Sequence, residues 1–246
     1  MSDLDSWFPA PEDAPSVLEA RFDSPNKLAD ALAESLAADL RVAIQERGEA
    51  SLVVSGGSTP VPLFAGLARQ LLPWHQVTVL LADERWVDPG HDASNEGLVR
   101  RHLLVDEAEG AQLVGLKNDA ATPEEGWEAC EAALTAVPRP FDVVVLGMGA
   151  DGHTASLFPG APELGDGLDP AGERLCLPVR PPGAPHPRMS LSLAALLASR
   201  RCVVHITGDE KWRVYRRALA KGPVGSLPIR AILARGREPI DVYWAP

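Results

Sequence analysis

Apolar positions along this chain fall into two rhythms. Short unbroken runs of aliphatic residues mark strands buried on both faces, and longer stretches with an apolar residue every third or fourth position mark helices packed on one side. The clearest run is Val143-Val144-Val145-Leu146, in a strand predicted to start at Phe141. Similar runs predict strands over 17–22, 51–54, 77–82, 175–179, 202–206 and 240–244. The helical rhythm is plainest over 26–47, where Leu28, Leu32, Leu36, Leu40 and Ile44 recur every four residues. Asp23, Ser24 and Asn26 are its cap candidates and Gly48 its stop. Further helices are predicted over 61–72, from Ser94 to about 104, over 122–136, from Leu191, from Lys211 to about 219, and over 228–235, with Arg188-Met189-Ser190 leading into the one at Leu191. Strand and helix thus alternate almost throughout. That predicts an α/β fold, an open, mainly parallel Rossmann-like sheet with right-handed crossovers and helices on both faces. A single α/β domain over 1–246 is expected, with the acidic, Pro-rich residues 1–15 as a loosely held arm.

Composition narrows the classes. Apolar residues make up 46% and charged residues 23%, an ordinary globular mixture. The net charge of −11 leaves no basic patch for nucleic acid or an anionic membrane surface, so neither is an expected partner. The N-terminal stretch lacks the basic and apolar parts of a signal peptide, and no apolar run reaches membrane-spanning length, so a cytoplasmic protein is expected. Cys130, Cys176 and Cys202 are widely spaced with no CxxC, which argues against a disulfide framework or a zinc site and for buried, reduced thiols.

Four chemically loaded segments each follow a predicted strand. Ser55-Gly56-Gly57-Ser58-Thr59-Pro60 precedes an apolar helix. A strand, a Gly turn lined with hydroxyls and a helix start aim free N–H groups and a positive dipole end at one spot, which makes an anion site. Taken alone, the turn reads equally well as a capped βα connection. Asp83-Glu84-Arg85-Trp86 is a charge cluster that by itself suits a surface ion-pair network. Gly147 to Thr154 is a Gly-rich turn carrying Asp151 and His153. Thr207-Gly208-Asp209-Glu210-Lys211 opens another helix. In a parallel sheet all four lie on one edge, at the carboxyl ends of the strands, where such sheets bind ligands. Cradle and cations (Arg85, Lys211 and, with less weight, Arg188) suit a phosphate, and His153 beside it suits proton transfer near neutral pH.

Two other motifs fail on detail. Gly147-x-Gly149-x-x-Gly152 matches a dinucleotide fingerprint, but Pro159-Gly160 stops any following helix after about two turns. Gly56-Gly57-Ser58-Thr59-Pro60 approaches a nucleophile elbow but ends in proline. No second His or carboxylate stands at metal-ligand spacing to His153, so a metal is not expected.

SGGSTP (55–60), DERWV (83–87) with SNEG (94–97), GMGADGHTASLFPG (147–160) and ITGDEK (206–211) together resemble the 6-phosphogluconolactonase family, from about residue 17 to the C-terminus. The GADGHTASLFPG segment is the most specific, whereas SGGSTP is shared with the related sugar-phosphate isomerases and deaminases. The glucosamine-6-phosphate deaminases follow their histidine with an Ala-Phe-Asn-Glu run that supplies a catalytic acid. Here Ala155-Ser156-Leu157-Phe158-Pro159 stands instead, favouring the lactonase. The resemblance implies hydrolysis of 6-phospho-D-glucono-1,5-lactone without cofactor or metal. It implies His153 as general base, Asp151 as its support, and Ser55, Gly56, Gly57, Ser58, Thr59, Arg85 and Lys211 on the 6-phosphate, with Arg188 near the substrate. For Asp151 a turn-stabilising role is nearly as good a reading. A deaminase or isomerase needs a second acid, for which only Asp83 or Glu84 is available. A non-catalytic phosphosugar sensor needs a further domain for which 246 residues leave no room. The expected partner is a small phosphosugar lactone, and the expected state is a monomer or weak homodimer.

Overall fold

The computed structural model describes residues 16–234 and 239–246. The arm expected over 1–15, and Arg235 at the expected end of the last helix, lie outside the described residues. In chain order come β1 (Val17–Arg21), α1 (Pro25–Arg47), β2 (Ala50–Val54), α2 (Val61–Ala68), β3 (Val77–Leu81), β4 (Asp83–Arg85), α3 (Asn95–His102), β5 (Gln112–Val114), α4 (Pro123–Thr135) and β6 (Phe141–Leu146). After them come α5 (Leu164–Gly167), β7 (Cys176–Val179), β8 (Arg188–Leu191), α6 (Leu193–Leu197), β9 (Ser199–Thr207), α7 (Asp209–Ala218), α8 (Ile229–Leu233) and β10 (Ile240–Ala245).

Helix α1 shows how local sequence sets an element. Ser24 is extended and its Oγ accepts from the Lys27 N–H, Pro25 fills the first turn, and Gly48 ends the helix at φ 81° with its N–H on the Ile44 carbonyl. Leu28, Leu32, Leu36 and Leu40 are fully buried along one stripe. The main sheet has the order β1-β10-β9-β6-β2-β3-β5. All its neighbouring pairs are parallel. Every residue of β2 is buried, which is why it reads as an unbroken apolar run. From β2 the chain moves outward through β3 to β5, then returns to β6 on the other side of β2 and moves through β9 to β10. The loops after β2 and β6 therefore leave in opposite directions, and a crevice opens between them.

The structure adds what periodicity did not predict. A second, antiparallel sheet, β4-β8-β7, stands at the carboxyl edge of the first. Its register sets Asp83 opposite Ser190 and Arg85 opposite Arg188. Residues 188–191, read as the approach to a helix, are a strand of this sheet, and the helix starts only at Leu193, with Ser192 as its cap. A three-residue charged strand such as β4 carries no apolar pattern of its own; it exists because a distant segment pairs with it. Helix α2 stops at Ala68 rather than continuing to residue 72; Leu71 is 74% exposed, so no apolar stripe extends the helix beyond Ala68. No helix forms within the 147–160 loop, which closes instead through a bridge between Thr154 and Leu157. Among the described residues no helix is long and apolar enough to cross a membrane, and all three cysteines are free and buried.

Leu36→Ala opens a cavity under α1 and lowers the unfolding free energy by about 2–5 kcal/mol in urea titration, whereas Val42→Ala, 51% exposed on the same helix, changes it by no more than about 0.5 kcal/mol.

Candidate active site

The turn after β2 is bound to the loop after β6. The Ser55 N–H donates to the Val145 carbonyl at 3.1 Å, and the Ser55 hydroxyl accepts from the Gly147 N–H at 3.2 Å. Gly56 lies so close to Asn95 that a Cβ there would stand 1.8 Å from Asn95 Oδ1, and Gly57 adopts φ 92°. Among the described residues the amides of Gly56, Gly57, Ser58 and Thr59 have no protein acceptor. They open toward the crevice ahead of α2 as a ready anion cradle. Lys211, in the first turn of α7, reaches across and donates to the Thr59 hydroxyl at 3.3 Å. Burial pulls the Lys211 pKa below its usual value, against the opposing charge of Glu210.

The loop after β6 holds an imidazole in a defined pose. Asp151 Oδ1 lies 2.6 Å from His153 Nδ1 and also accepts the His153 N–H at 3.1 Å. Burial pushes the Asp151 carboxyl up, but the hydrogen bonds from His153 outweigh it and hold the group below its ordinary value. An ionised carboxylate can only accept, so Nδ1 carries a proton, and in the neutral ring the lone pair is on Nε2. A Cβ on Gly149 would stand 2.2 Å from His153 Nδ1 and 2.6 Å from Asp151 Oδ1, so only glycine leaves room for the pair. The imidazole stacks on Phe158, ring centroids 4.0 Å apart, and the Arg188 guanidinium also packs on Phe158 at 5.1 Å.

The second sheet delivers the remaining charges. Buried Asp83 accepts the Ser156 hydroxyl at 2.6 Å and pairs with Arg188 Nη1 at 3.5 Å. Burial lowers the Arg188 pKa, Asp83 opposes the shift and Arg85 reinforces it. Arg85 donates to the Ala93 carbonyl at 2.6 Å. Glu84 is fully buried and caps α3, accepting the N–H groups of Asn95 and Glu96 at 2.7 Å each and the Ser94 hydroxyl at 3.0 Å. Burial raises its pKa against those bonds. Of the two acids weighed as a second catalytic carboxylate, Glu84 is therefore consumed by the cap. Asp83 lines the cavity but is tied to Ser156 and Arg188.

One cavity of about 250 Å³ collects these groups. Ser55, Gly56, Gly57, Ser58, Thr59, Arg85, Arg188, Lys211 and His153 all line it, while Asp151 stands behind His153. Asn95 and Met148, which lie in the quoted motifs without an assigned role, also line the cavity, and so does His205, which no sequence motif contains. His205 is 3% exposed near the end of β9. Its signal was an imidazole inside an otherwise apolar strand, CVVHI. Burial, reinforced by the Lys211 charge, holds its pKa down to about 4. Among the described residues no three His, Cys, Asp or Glu side chains cluster as a metal site.

An open parallel sheet with an amide turn, an ammonium group and an oriented imidazole at its switch point places the chain among α/β proteins with a small-molecule site at the strand ends. Residues 23–244 match the family described as glucosamine-6-phosphate isomerases/6-phosphogluconolactonase, and the chain belongs to that family. It is 46% identical to the 6-phosphogluconolactonase of Pseudomonas aeruginosa over 215 residues, 87% of this chain and 89% of that protein. It is 44% identical to that of Rhizobium meliloti over 225 residues, 92% and 97% of the two. The crystal structure of a 6-phosphogluconolactonase from Shewanella baltica superimposes with a TM-score of 0.92 at 46% identity, covering 95% of this chain and all of that one.

The buried imidazole makes stability depend on acid. Unfolded, His205 takes a proton near pH 6.5, and folded it does so only near 4. The unfolded state thus binds more protons between these values, and stability falls as pH drops through that window. His205→Gln removes the term, and urea titrations at pH 6.5 and pH 4 will show the variant losing up to about 3 kcal/mol less than the wild type.

Proposed function

We propose that this chain hydrolyses 6-phospho-D-glucono-1,5-lactone to 6-phospho-D-gluconate, the lactonase step of the oxidative pentose phosphate pathway, with His153 as general base. The observation that carries the mechanism is the Asp151–His153 pair, 2.6 Å apart, on the same cavity as the amide cradle and Lys211. The cradle, Lys211, Arg85 and Arg188 hold the 6-phosphate and orient the ring. His153 Nε2 takes a proton from a water molecule as its oxygen adds to the lactone carbonyl carbon. The negative charge that develops on the carbonyl oxygen needs N–H donors. The amides of Gly147, Gly149, Gly152 and His153 are already bonded within the loop and to Ser55, whereas among the described residues those of Met148 and Ala155, which also line the cavity, have no protein acceptor and can serve. Collapse of the adduct breaks the bond to the ring oxygen, which takes the proton back from the imidazolium, and the ring opens to the carboxylic acid.

Asp151 orients the imidazole and stabilises its charged form, joining the catalytic and turn-stabilising roles in one residue. A δ-lactone opens slowly even in water, so one base worth about 10²–10⁴-fold together with positioning through the phosphate is enough. With Glu84 spent as a cap, the geometry favours this reaction over a deaminase or isomerase. The whole chain acts as a single domain, as a cytoplasmic monomer or weak homodimer.

Freshly generated 6-phosphogluconolactone, followed against its spontaneous hydrolysis, tests the reading. The wild type accelerates its loss, and His153→Ala lowers kcat at least about 100-fold with KM little changed. Lys211→Ala raises KM at least about 10-fold; an unmoved KM overturns the phosphate assignment. No acceleration by the wild type, with glucosamine 6-phosphate consumed instead, overturns the lactonase reading. Gly149→Ala displaces the imidazole from Asp151 and, with the fold retained by circular dichroism, lowers kcat about 100-fold.

A further inference from the structure

The wall of the cavity beyond Lys211 holds a polar group with nothing to bind. His205 sits near the carboxyl end of β9, next to Val204, which pairs with Leu146 of β6, and it is itself paired with Tyr243 of β10. It is 97% covered yet lines the cavity. Among the described residues its imidazole makes no hydrogen bond, and on the same cavity Arg85 Nε, Arg188 Nε and Asn95 Oδ1 are also without a partner. With no protein partner, the donor and acceptor of this imidazole depend on what occupies the cavity, and leaving them unmet costs free energy. Val203, two residues earlier on the same face of β9, shows that an apolar residue suits this side of the strand. The partner that balances the cost is whatever fills the cavity.

The surroundings select the kind of partner. Lys211, Arg85 and Arg188 bring positive charge to the cavity, and the one carboxylate on its wall, Asp83, is already bonded to Ser156 and Arg188. His153 faces the same space from the β6 loop. A second cation beside Lys211 is unfavourable, and His205 is accordingly held neutral at physiological pH. A neutral ring offers one N–H without a charge to desolvate, and an anionic oxygen next to Lys211 is its natural acceptor. We infer that His205 is a further ligand-binding residue of this site, donating a hydrogen bond to the phosphoryl group at the Lys211 end of the cavity. The inference rests on the phosphosugar reading above and extends it to a residue on a third strand.

Two measurements decide it. In the wild-type protein, histidine-selective ¹⁵N NMR is recorded during titration with inorganic phosphate and, separately, with 6-phosphogluconate. The His205 ring signals, assigned by their loss in His205→Leu, shift with both ligands, and the ring pKa rises in the complex because a bound anion favours the proton. In parallel, His205→Leu raises KM for the lactone about 10- to 100-fold with kcat within about threefold, and His205→Gln, which keeps an N–H donor, recovers part of the loss. Ring signals unmoved by either ligand overturn the inference, even if the leucine variant fails to fold. A shift with 6-phosphogluconate but none with phosphate also overturns it, since the acceptor is then a sugar oxygen. Lactone hydrolysis by a wild type whose His205 is silent removes this inference alone. Phosphate binding at His205 in a protein that does not open the lactone removes the lactonase reading and keeps the contact.

Discussion

The site depends on one buried carboxylate. Asp83 leaves the end of β3 and enters the second sheet, and each of its acceptor groups holds a different part of the crevice. Its carboxylate takes the Ser156 hydroxyl from the imidazole-bearing loop and the Arg188 guanidinium from β8. Its carbonyl takes the Asn95 amide at 2.8 Å, and Asn95 in turn walls the cradle at Gly56. A charge at 5% exposure is tolerated only because its hydrogen bonds are made and Arg188 stands against it. Removing the carboxylate would leave an unmatched guanidinium and free the base loop, while the backbone carbonyl would still hold Asn95 at the cradle wall.

Local and global electrostatics have opposite signs here. The chain carries a net charge of −11, yet the cavity gathers Lys211, Arg85 and Arg188 against one tied carboxylate. Acids that would spoil an anion site are kept out of it. Glu84 faces away to cap α3, and Asp151 sits behind the imidazole. A small anion therefore meets a positive pocket in a negative protein, which is a property of the strand ends rather than of the composition. Phe158 adds a nonpolar spacer in contact with both His153 and Arg188, holding the ring of the first without supplying a competing hydrogen bond.

Much of this was legible in the chain. The strand and helix rhythm located the parallel strands apart from short β5, because a strand buried on both faces must be continuously apolar and α1 must repeat its leucines every turn. The four segments carrying residues 55–59, 83–86, 147–154 and 207–211 were expected on one edge, and they line or border one cavity. Their legibility comes from topology: in a parallel sheet every strand end of one sense lies on one side, whatever the details of packing. His205 escaped notice for the converse reason, since an imidazole within an apolar run carries no local motif.

By itself, then, the sequence determined the elements whose signals are local: the caps of α1, the apolar strands, the Gly-rich turns that follow them, and the family to which they belong. Tertiary structure alone decided the second sheet, the pairing of Arg85 with Arg188, the use of Glu84 as a cap and the exposure of His205 to the cavity. These depend on which distant segments meet. A charged tripeptide or a lone histidine has no periodicity to betray its neighbours, and its role is set only when long-range pairing surrounds it.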